Sequence, residues 1–245
     1  MNKQTIKYFR NFKFCFFKRT GGVSTENFSS LNCAFNIEEK KENVKKNRAI
    51  IKKYFCKTKK IIFLNQTHSN KVFFLNKKIP NIISADGIIT DRKDLCLGIL
   101  TADCAPIIIL GNKNFGIVHA GWRGAFSNII RNAVKVFISK GEIISDLQIF
   151  IGPHLKKKSF EVKKNFVSKF FKNNNSRKFI VKKKEQYFFD FSNFLKNKIL
   201  DLGISKVCIS NLDTFSSPKR FFSYRYYSKK GIINCGRQIS LVCFR

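Results

Sequence analysis

Long apolar runs, proline and glycine are scarce in this chain of 245 residues. No apolar run approaches the ~18 residues that a membrane-spanning helix requires, and the run Phe14–Phe17 is too short for the core of a signal peptide. We therefore expect a cytoplasmic protein that does not bind a membrane. Only 4 prolines and 13 glycines are present, which excludes collagen-like and linker-like compositions. The eight cysteines form no Cys-x-x-Cys pair, so we expect most of them to be small buried side chains.

Acidic residues are also few, with 15 Asp and Glu against 48 Lys and Arg, giving a formal net charge of +33. Such a charge is typical of nucleic-acid binders. However, the excess lies in lysine, is dispersed along the whole chain, and accompanies 28 phenylalanines and abundant Ile and Asn. A- and T-rich codons encode all four residue types, so we interpret the charge as compositional bias on a solvated surface. We expect no specific nucleic-acid partner.

The apolar pattern predicts strands and helices that interleave without strict alternation. Continuous apolar runs predict buried strands at 95–101, 106–110 and 115–119, and an apolar stripe predicts a helix over 44–55. Further helices are expected over 126–138, 160–171 and 191–202, short strands at 61–64, 72–75, 147–151, 207–210, 221–224 and 239–244, and a surface loop at 173–178. Since no linker or repeat is visible, we predict one α+β domain over residues 1–245, with a mixed β-sheet core flanked by helices.

Histidine, which can bind metals and transfer protons, is rare, with only three in the chain. His119 ends an apolar strand and Cys104 ends another, whereas His68 lies in a polar loop between two strands. Strand ends are common positions for functional sites in proteins of this kind. Two imidazoles and a thiolate form a suitable ligand set for Zn²⁺ that leaves a fourth position open. The spacings are long, so such a site would be assembled by the fold, and burial of the three residues in the core stays an alternative.

Cationic and aromatic residues are candidates for substrate binding. Arg123 lies between Gly121 and Gly124 at the start of a helix, where free N–H groups favour anions. Arg48 is the arginine of a helix whose other cations are lysines, and Tyr224 and Arg225 end the stretch Phe221-Phe-Ser-Tyr-Arg225. An ordinary glycine turn, a surface arginine and core packing are the alternatives at these positions.

A series of short motifs is ordered along nearly the whole chain: Arg19-Thr-Gly-Gly-Val-Ser24, Leu31-Asn32, Asn47-Arg48, Gln66-Thr-His68, Ala85-Asp-Gly87, Thr101-Ala-Asp-Cys104, His119-Ala-Gly-Trp-Arg-Gly124, Ile151-Gly-Pro153, Phe221-Phe-Ser-Tyr-Arg225 and Gly236-Arg237. The set resembles the laccase-domain family, once called multicopper polyphenol oxidases and now described as purine nucleoside phosphorylases with adenosine deaminase activity. The resemblance implies zinc ligands at His68, Cys104 and His119. These are the three residues that the strand ends and the polar loop indicated.

The resemblance also implies the function. It predicts zinc-dependent phosphorolysis of adenosine, inosine and methylthioadenosine, with deamination of adenosine, by a monomer or small homo-oligomer whose partners are purine nucleosides and phosphate. Arg48 and Arg123 are the candidates to hold phosphate, and Tyr224 and Arg225 to line the base or ribose pocket. Hydrolytic editing of cell-wall precursors stays open. A copper-dependent polyphenol oxidase of the laccase type would need many more histidines, and a non-enzymatic nucleic-acid binder is the remaining alternative.

Three positions depart from the family pattern. His154 and Asp213 stand where the family often has cysteine, and Tyr226 stands where a second arginine is common. None of them is one of the three proposed ligands. We expect the metal site to be retained and His154 to be a surface or core residue rather than a base beside the site.

Overall fold

Helices and strands interleave along the chain, which the computed structural model describes over residues 4–35, 37–171 and 174–245. Within these residues there are six α-helices: α1 (Lys41–Phe55), α2 (Trp122–Phe126), α3 (Ile129–Ser139), α4 (Lys164–Phe171), α5 (Phe191–Leu200) and α6 (Tyr224–Ser228). No helix of this part of the chain combines the length and apolarity needed to cross a membrane.

The same residues form fourteen strands: β1 (Lys7–Phe9), β2 (Phe12–Phe16), β3 (Lys60–Phe63), β4 (Val72–Phe74), β5 (Gly87–Thr90), β6 (Leu95–Thr101), β7 (Ala105–Leu110), β8 (Phe115–Ala120), β9 (Gln148–Ile151), β10 (Glu161–Val162), β11 (Ile180–Lys183), β12 (Gln186–Phe189), β13 (Val207–Ile209) and β14 (Gln238–Phe244). They build a five-stranded sheet in the order β1-β2-β14-β6-β3, a six-stranded sheet in the order β13-β9-β7-β8-β5-β4, and a small sheet β10-β12-β11. Both large sheets are mixed, because β3–β6, β13–β9 and β4–β5 are parallel pairs and the other pairs are antiparallel.

The two large sheets pack face to face and each carries helices on its outer face. One cluster of buried side chains joins both sheets, with Leu97 and Val242 from the first and Ile108 and Ile117 from the second. Alternate residues point the other way: Ile107 and Val118 pack with α3 and α5, whereas Leu241 packs with α1. Burial on both faces explains why these strands are continuous apolar runs, and it confirms the predicted α+β fold class.

Most of the predicted elements are present. The structure has the buried strands β6, β7 and β8 and the helix α1 close to the predicted bounds. A glycine in the left-handed region, Gly141, follows α3 with φ +82°. Gly203 likewise follows α5 with φ +82°.

The predicted helix over 126–138 is interrupted. Phe126 ends α2 and Ile129 begins α3, because Asn128 between them has φ +66°. The left-handed conformation breaks the helical ladder, and asparagine is among the residues that tolerate it best. The apolar spacing continues across the break, so periodicity alone could not reveal it.

Three other predicted elements differ from the structure. The helix expected over 160–171 begins only at Lys164, because Glu161–Val162 pairs with β12 as strand β10. The strand expected at 221–224 is wrong, since Ser223 caps α6 by accepting a hydrogen bond at Oγ from the Tyr226 N–H. Of the expected loop at 173–178, residue 173 lies outside the described residues and Asn174–Phe179 forms a 3₁₀ helix.

Candidate metal centre

Three elements from distant parts of the sequence bring His68, Cys104 and His119 together. His68 lies in the loop between β3 and β4, Cys104 in the turn between β6 and β7, and His119 on β8. β7 and β8 are antiparallel, and Ala105 pairs with Ala120, which places the Cys104 turn beside His119. The ligand atoms of all three residues lie within 4.8 Å of one another. The fold therefore brings together the three side chains that the sequence indicated.

The distances suit a single metal ion. Cys104 Sγ lies 3.8 Å from His68 Nε2, and the two imidazole centroids are 4.7 Å apart with the rings nearly perpendicular. Ligand atoms at ~2.0–2.3 Å from a tetrahedral ion are themselves about 3.5 Å apart, so a small contraction completes the site. Two imidazole nitrogens and one sulfur are donors that suit Zn²⁺ and also copper.

The electrostatics of the site favour the thiolate that a metal binds. Burial alone would raise the pKa of the Cys104 thiol. The adjacent His119 and His68 outweigh this effect and lower the pKa to about 6. Burial lowers the pKa of His119, whereas the Cys104 sulfur and the Asp86 carboxylate raise it to about 9. At Cys15 and Cys33, in contrast, burial raises the thiol pKa to about 12, so these two thiols stay protonated near neutral pH.

Asp86 and Asp103 hold the loops from which the candidate ligands project. Asp86, at the start of β5, accepts hydrogen bonds from His119 Nδ1 and from the 67–69 loop. Asp103, half-buried and next to Cys104, has φ +86°. Its carboxylate accepts bonds of 2.6 Å from Thr214 Oγ1 and from the Arg225 N–H. Both aspartates lie within recognised motifs, but their sequence positions did not indicate these partners.

Two glycines of the motif that runs from the end of β8 into α2, Gly121 and Gly124, lie too close to neighbouring residues to carry a side chain. A Cβ on Gly121 would lie 2.9 Å from His68 Cδ2 and 3.3 Å from Cys104 Sγ. A Cβ on Gly124 would lie 2.6 Å from the Ser69 carbonyl oxygen. Both glycines allow α2 to pack directly against the two ligand-bearing loops.

The cluster opens into one cavity of about 1070 Å³. All of the residues proposed from the sequence line it: His68, Cys104, His119, Arg48, Arg123, Tyr224 and Arg225. Sequence reasoning missed the remaining polar and aromatic walls of this cavity, which include Lys163, Arg237, Phe160 and Phe166. Of these, Arg237 lies in a recognised motif, Gly236-Arg237, whereas the other three lie outside the motifs.

Arg48 is held by aromatic faces instead of by a carboxylate. Its guanidinium carbon lies 4.4 Å from the Phe35 ring centroid and 3.9 Å from that of Phe63, and its Nε donates to the Cys33 carbonyl. Burial lowers its pKa, and no carboxylate in the described residues pairs with it. A half-buried cation without an acidic partner is suited to an anionic ligand.

The other candidates differ in exposure. Arg123 is exposed, with its guanidinium 4.8 Å from the Trp122 ring centroid. Tyr224 is also exposed, at the first position of α6. Arg225 Nη1 donates to the Glu161 carbonyl over 2.8 Å, which joins α6 to β10 at the wall of the cavity.

The departures from the family pattern lie outside the residues that line the cavity. His154 is fully buried, and its Nδ1 donates to the Gly152 carbonyl while its Nε2 contacts Ser192 Oγ. His154 and Asp213 are bridge partners, so two of the three departures are neighbours in space. Tyr226 packs against Phe215 and Tyr227. The prediction that His154 is a core or surface residue agrees with its complete burial.

Known proteins provide an independent comparison. Residues 13–245 match the family model described as multi-copper polyphenol oxidoreductase laccase. A purine nucleoside phosphorylase of Rickettsia prowazekii is 34% identical over 214 residues, covering 85% of this chain and 86% of the relative. The purine nucleoside phosphorylase YlmD of Bacillus subtilis is 28% identical, covering 93% and 86%. The crystal structure of YlmD from Geobacillus stearothermophilus superposes with a TM-score of 0.88 at 22% identity, covering 96% of this chain and 92% of the other.

Proposed function

The chain belongs to the multi-copper polyphenol oxidoreductase laccase family, and from that premise we propose that it is a zinc-dependent purine nucleoside phosphorylase that also deaminates adenosine. The observation that carries the proposal is the His68–Cys104–His119 cluster, which opens into a cavity whose other walls carry several cations. Relatives at about 30% identity are named purine nucleoside phosphorylase, which supports the phosphorolysis.

His68, Cys104 and His119 would hold the zinc ion. When bound, zinc supplies a Lewis acid that activates water near neutral pH. Deamination needs such water at the purine carbon that bears the amine. The protein would contribute one thiolate and two imidazoles as ligands. It also places the aromatic side chains of Trp122 and Phe166 on the cavity wall, where a purine ring can stack.

Phosphorolysis needs a phosphate beside the ribose. A phosphate oxygen attacks the anomeric carbon, the bond to the purine nitrogen breaks, and its electron pair leaves with the base. Arg48, clamped between two phenylalanines, and Arg123 would bind the phosphate and neutralise its charge during this transfer. Tyr224 and Arg225 are distant from both arginines in the sequence but line the same cavity. They would contact the base or the ribose.

The small number of histidines favours this proposal over the rival oxidase. A laccase-type copper cluster needs many histidines, and the whole sequence has three, of which His154 lies buried elsewhere. Editing of cell-wall precursors would use the same cluster and therefore belongs in the same substrate panel.

Product analysis on protein of known metal content tests the proposal. We expect zinc near one equivalent per chain, adenine and ribose 1-phosphate from adenosine only when phosphate is present, and inosine with or without phosphate. Arg123→Gln should raise the KM for phosphate, whereas Arg131→Gln, on the exposed face of α3, should not. Stoichiometric copper with oxidation of phenols, or turnover of cell-wall precursors alone, would contradict the proposal.

A further inference from the structure

Asp86 is a fully buried carboxylate between the two histidines of the cluster. Its Oδ1 accepts a hydrogen bond of 2.8 Å from His119 Nδ1, and its backbone carbonyl accepts one of 2.7 Å from the His119 N–H. The imidazole of His119 is thus fixed at both its ring and its backbone. With Nδ1 occupied as a donor, Nε2 is left as the nitrogen with a free lone pair.

The same carboxylate also holds the loop that carries His68. It accepts from three consecutive backbone N–H groups, of Thr67 at 3.2 Å, His68 at 3.0 Å and Ser69 at 2.7 Å, and from Ser69 Oγ at 2.7 Å. His68 has φ +58°, a left-handed conformation that is unfavourable for a residue with a Cβ. Hydrogen bonds to a buried carboxylate offset that cost and keep the loop in this conformation.

We propose that Asp86 is the positioning residue of the metal centre, because one carboxylate sets the ring nitrogen of His119 through a side-chain bond and the direction of His68 through the loop backbone. The His119 ring and the loop that carries His68 are therefore preorganised before any metal arrives. The inference rests on the proposed function only in taking His68, Cys104 and His119 as metal ligands, and it does not depend on which substrate the metal serves.

The chain contains a matched control for a purely structural role. Glu142 is a second buried carboxylate, and it accepts from the consecutive backbone N–H groups of Asn112, Lys113 and Asn114 at 2.7–2.8 Å. Like Asp86, it fixes a loop through backbone hydrogen bonds. That loop joins β7 to β8 at the edge of the sheet opposite to the candidate ligands. Glu142→Gln and Asp86→Asn should both reduce thermal stability.

Zinc affinity separates the two roles. In competition with a chelating dye, Asp86→Asn should bind zinc roughly 10- to 100-fold more weakly than the wild type, whereas Glu142→Gln should stay within about threefold because it leaves the ligands in place. Cobalt substitution adds a spectroscopic readout. The thiolate-to-cobalt band should persist in Asp86→Asn, since Cys104 is untouched, while the ligand-field bands change shape.

The outcomes that contradict the proposal are equally definite. Wild-type zinc affinity in folded Asp86→Asn, or an equal loss in Glu142→Gln, would overturn it, and so would a wild-type protein that binds no zinc. If Asp86→Asn does not fold, Ser69→Ala decides instead. Losing the 2.7 Å bond from Ser69 Oγ should weaken zinc binding in a smaller but measurable way, and unchanged affinity would overturn the proposal. Asp86-dependent zinc binding without nucleoside turnover would contradict the proposed function and leave this inference standing.

Discussion

Exposure distinguishes His68 from the other two candidate ligands. Its side chain is exposed, whereas His119 is 3% exposed on β8 and Cys104 is half-buried. We predict that His68→Ala removes both zinc and nucleoside turnover but leaves the fold intact, because two remaining ligands hold zinc poorly and little packing is lost. Zinc content, turnover and circular dichroism are to be measured beside the wild type.

Lys71→Ala is the matched control, since Lys71 is an exposed side chain of the same loop. It should keep one zinc per chain and full turnover. If His68→Ala also keeps them, the ligand assignment is wrong, and if it unfolds outright, His68 is a structural residue. The modest loss of stability expected for His68→Ala comes only from the lost binding of metal to the native state.

Burial makes His154 a source of acid sensitivity. Burial and the nearby Lys156 charge lower its pKa to about 3, while the Gly152 carbonyl and Asp190 oppose the shift. The unfolded chain, with an ordinary histidine pKa near 6.5, takes up a proton first as the pH falls. The contribution of neutral His154 to the unfolding free energy is therefore fully present above about pH 6.5 and is lost progressively down to about pH 3.

Between pH 7 and pH 4 this single group should cost the wild type on the order of 3 kcal/mol of unfolding free energy. His154→Asn, which cannot take up that proton, should be less stable than the wild type at pH 7 but should lose less stability toward pH 4. Urea unfolding at pH 4, 5, 6 and 7 measures both slopes. Parallel slopes for the two proteins would show that His154 does not titrate as its burial requires.

At the scale of elements, the break between α2 and α3 depends on one residue. Asn128 has φ +66°, and its Oδ1 accepts a hydrogen bond from Lys198 Nζ. Asn128→Ala should destabilise the protein by about 1 kcal/mol more than Asn128→Gly, because alanine is penalised in the left-handed region and both variants lose the same contact with Lys198. Urea unfolding measures the difference. Equal stability of the two variants would mean that the segment relaxes into one continuous helix.

The elements also show what the sequence could and could not predict. The strands β6, β7 and β8 were predictable because both of their faces are buried, which makes them continuous apolar runs. The short strand β10 was not predictable, because two residues are too few to show an alternating apolar pattern. The cap at Ser223 was not predictable either, because it depends on a single hydrogen bond. The motifs near Asp86 were recognisable, but its role depends on partners up to 33 residues away, which no local pattern encodes.

At the scale of the whole molecule, the charge of +33 should give weak and unspecific attraction for polyanions. The lysines are dispersed along the chain, and several of the arginines line the cavity instead of forming a basic patch on the outer surface. Binding to random-sequence RNA should be measurable at 50 mM salt and should fall steeply by 200 mM, because it arises from counterion release. Gel-shift titrations at both salt concentrations measure it. Sequence-selective binding at nanomolar affinity in physiological salt would contradict our interpretation of the charge as compositional bias.

The C-terminal strand connects the two N-terminal strands to the rest of the five-stranded sheet. β14 lies between β2 and β6 in the five-stranded sheet and pairs with both. Its Val242 packs between the two sheets while its Leu241 packs against the α1 side. Upstream of β14, Thr214 and the Arg225 N–H bind the carboxylate of Asp103, next to Cys104. The last fifth of the chain therefore contributes both to the core and to the turn that carries a candidate ligand.

We predict that limited proteolysis yields no stable zinc-binding fragment that lacks residues 200–245. Removing β14 would expose the apolar faces of β2 and β6 and leave their ladder hydrogen bonds unpaired, so a clipped chain should unfold and be degraded further. Trypsin digestion followed by native mass spectrometry and zinc analysis measures the outcome, and the 48 Lys and Arg provide cleavage sites throughout. Nicks within exposed loops that leave both halves associated are consistent with this. An isolated N-terminal fragment that retains zinc and acts on nucleosides would show that the site is complete without the C-terminal strand.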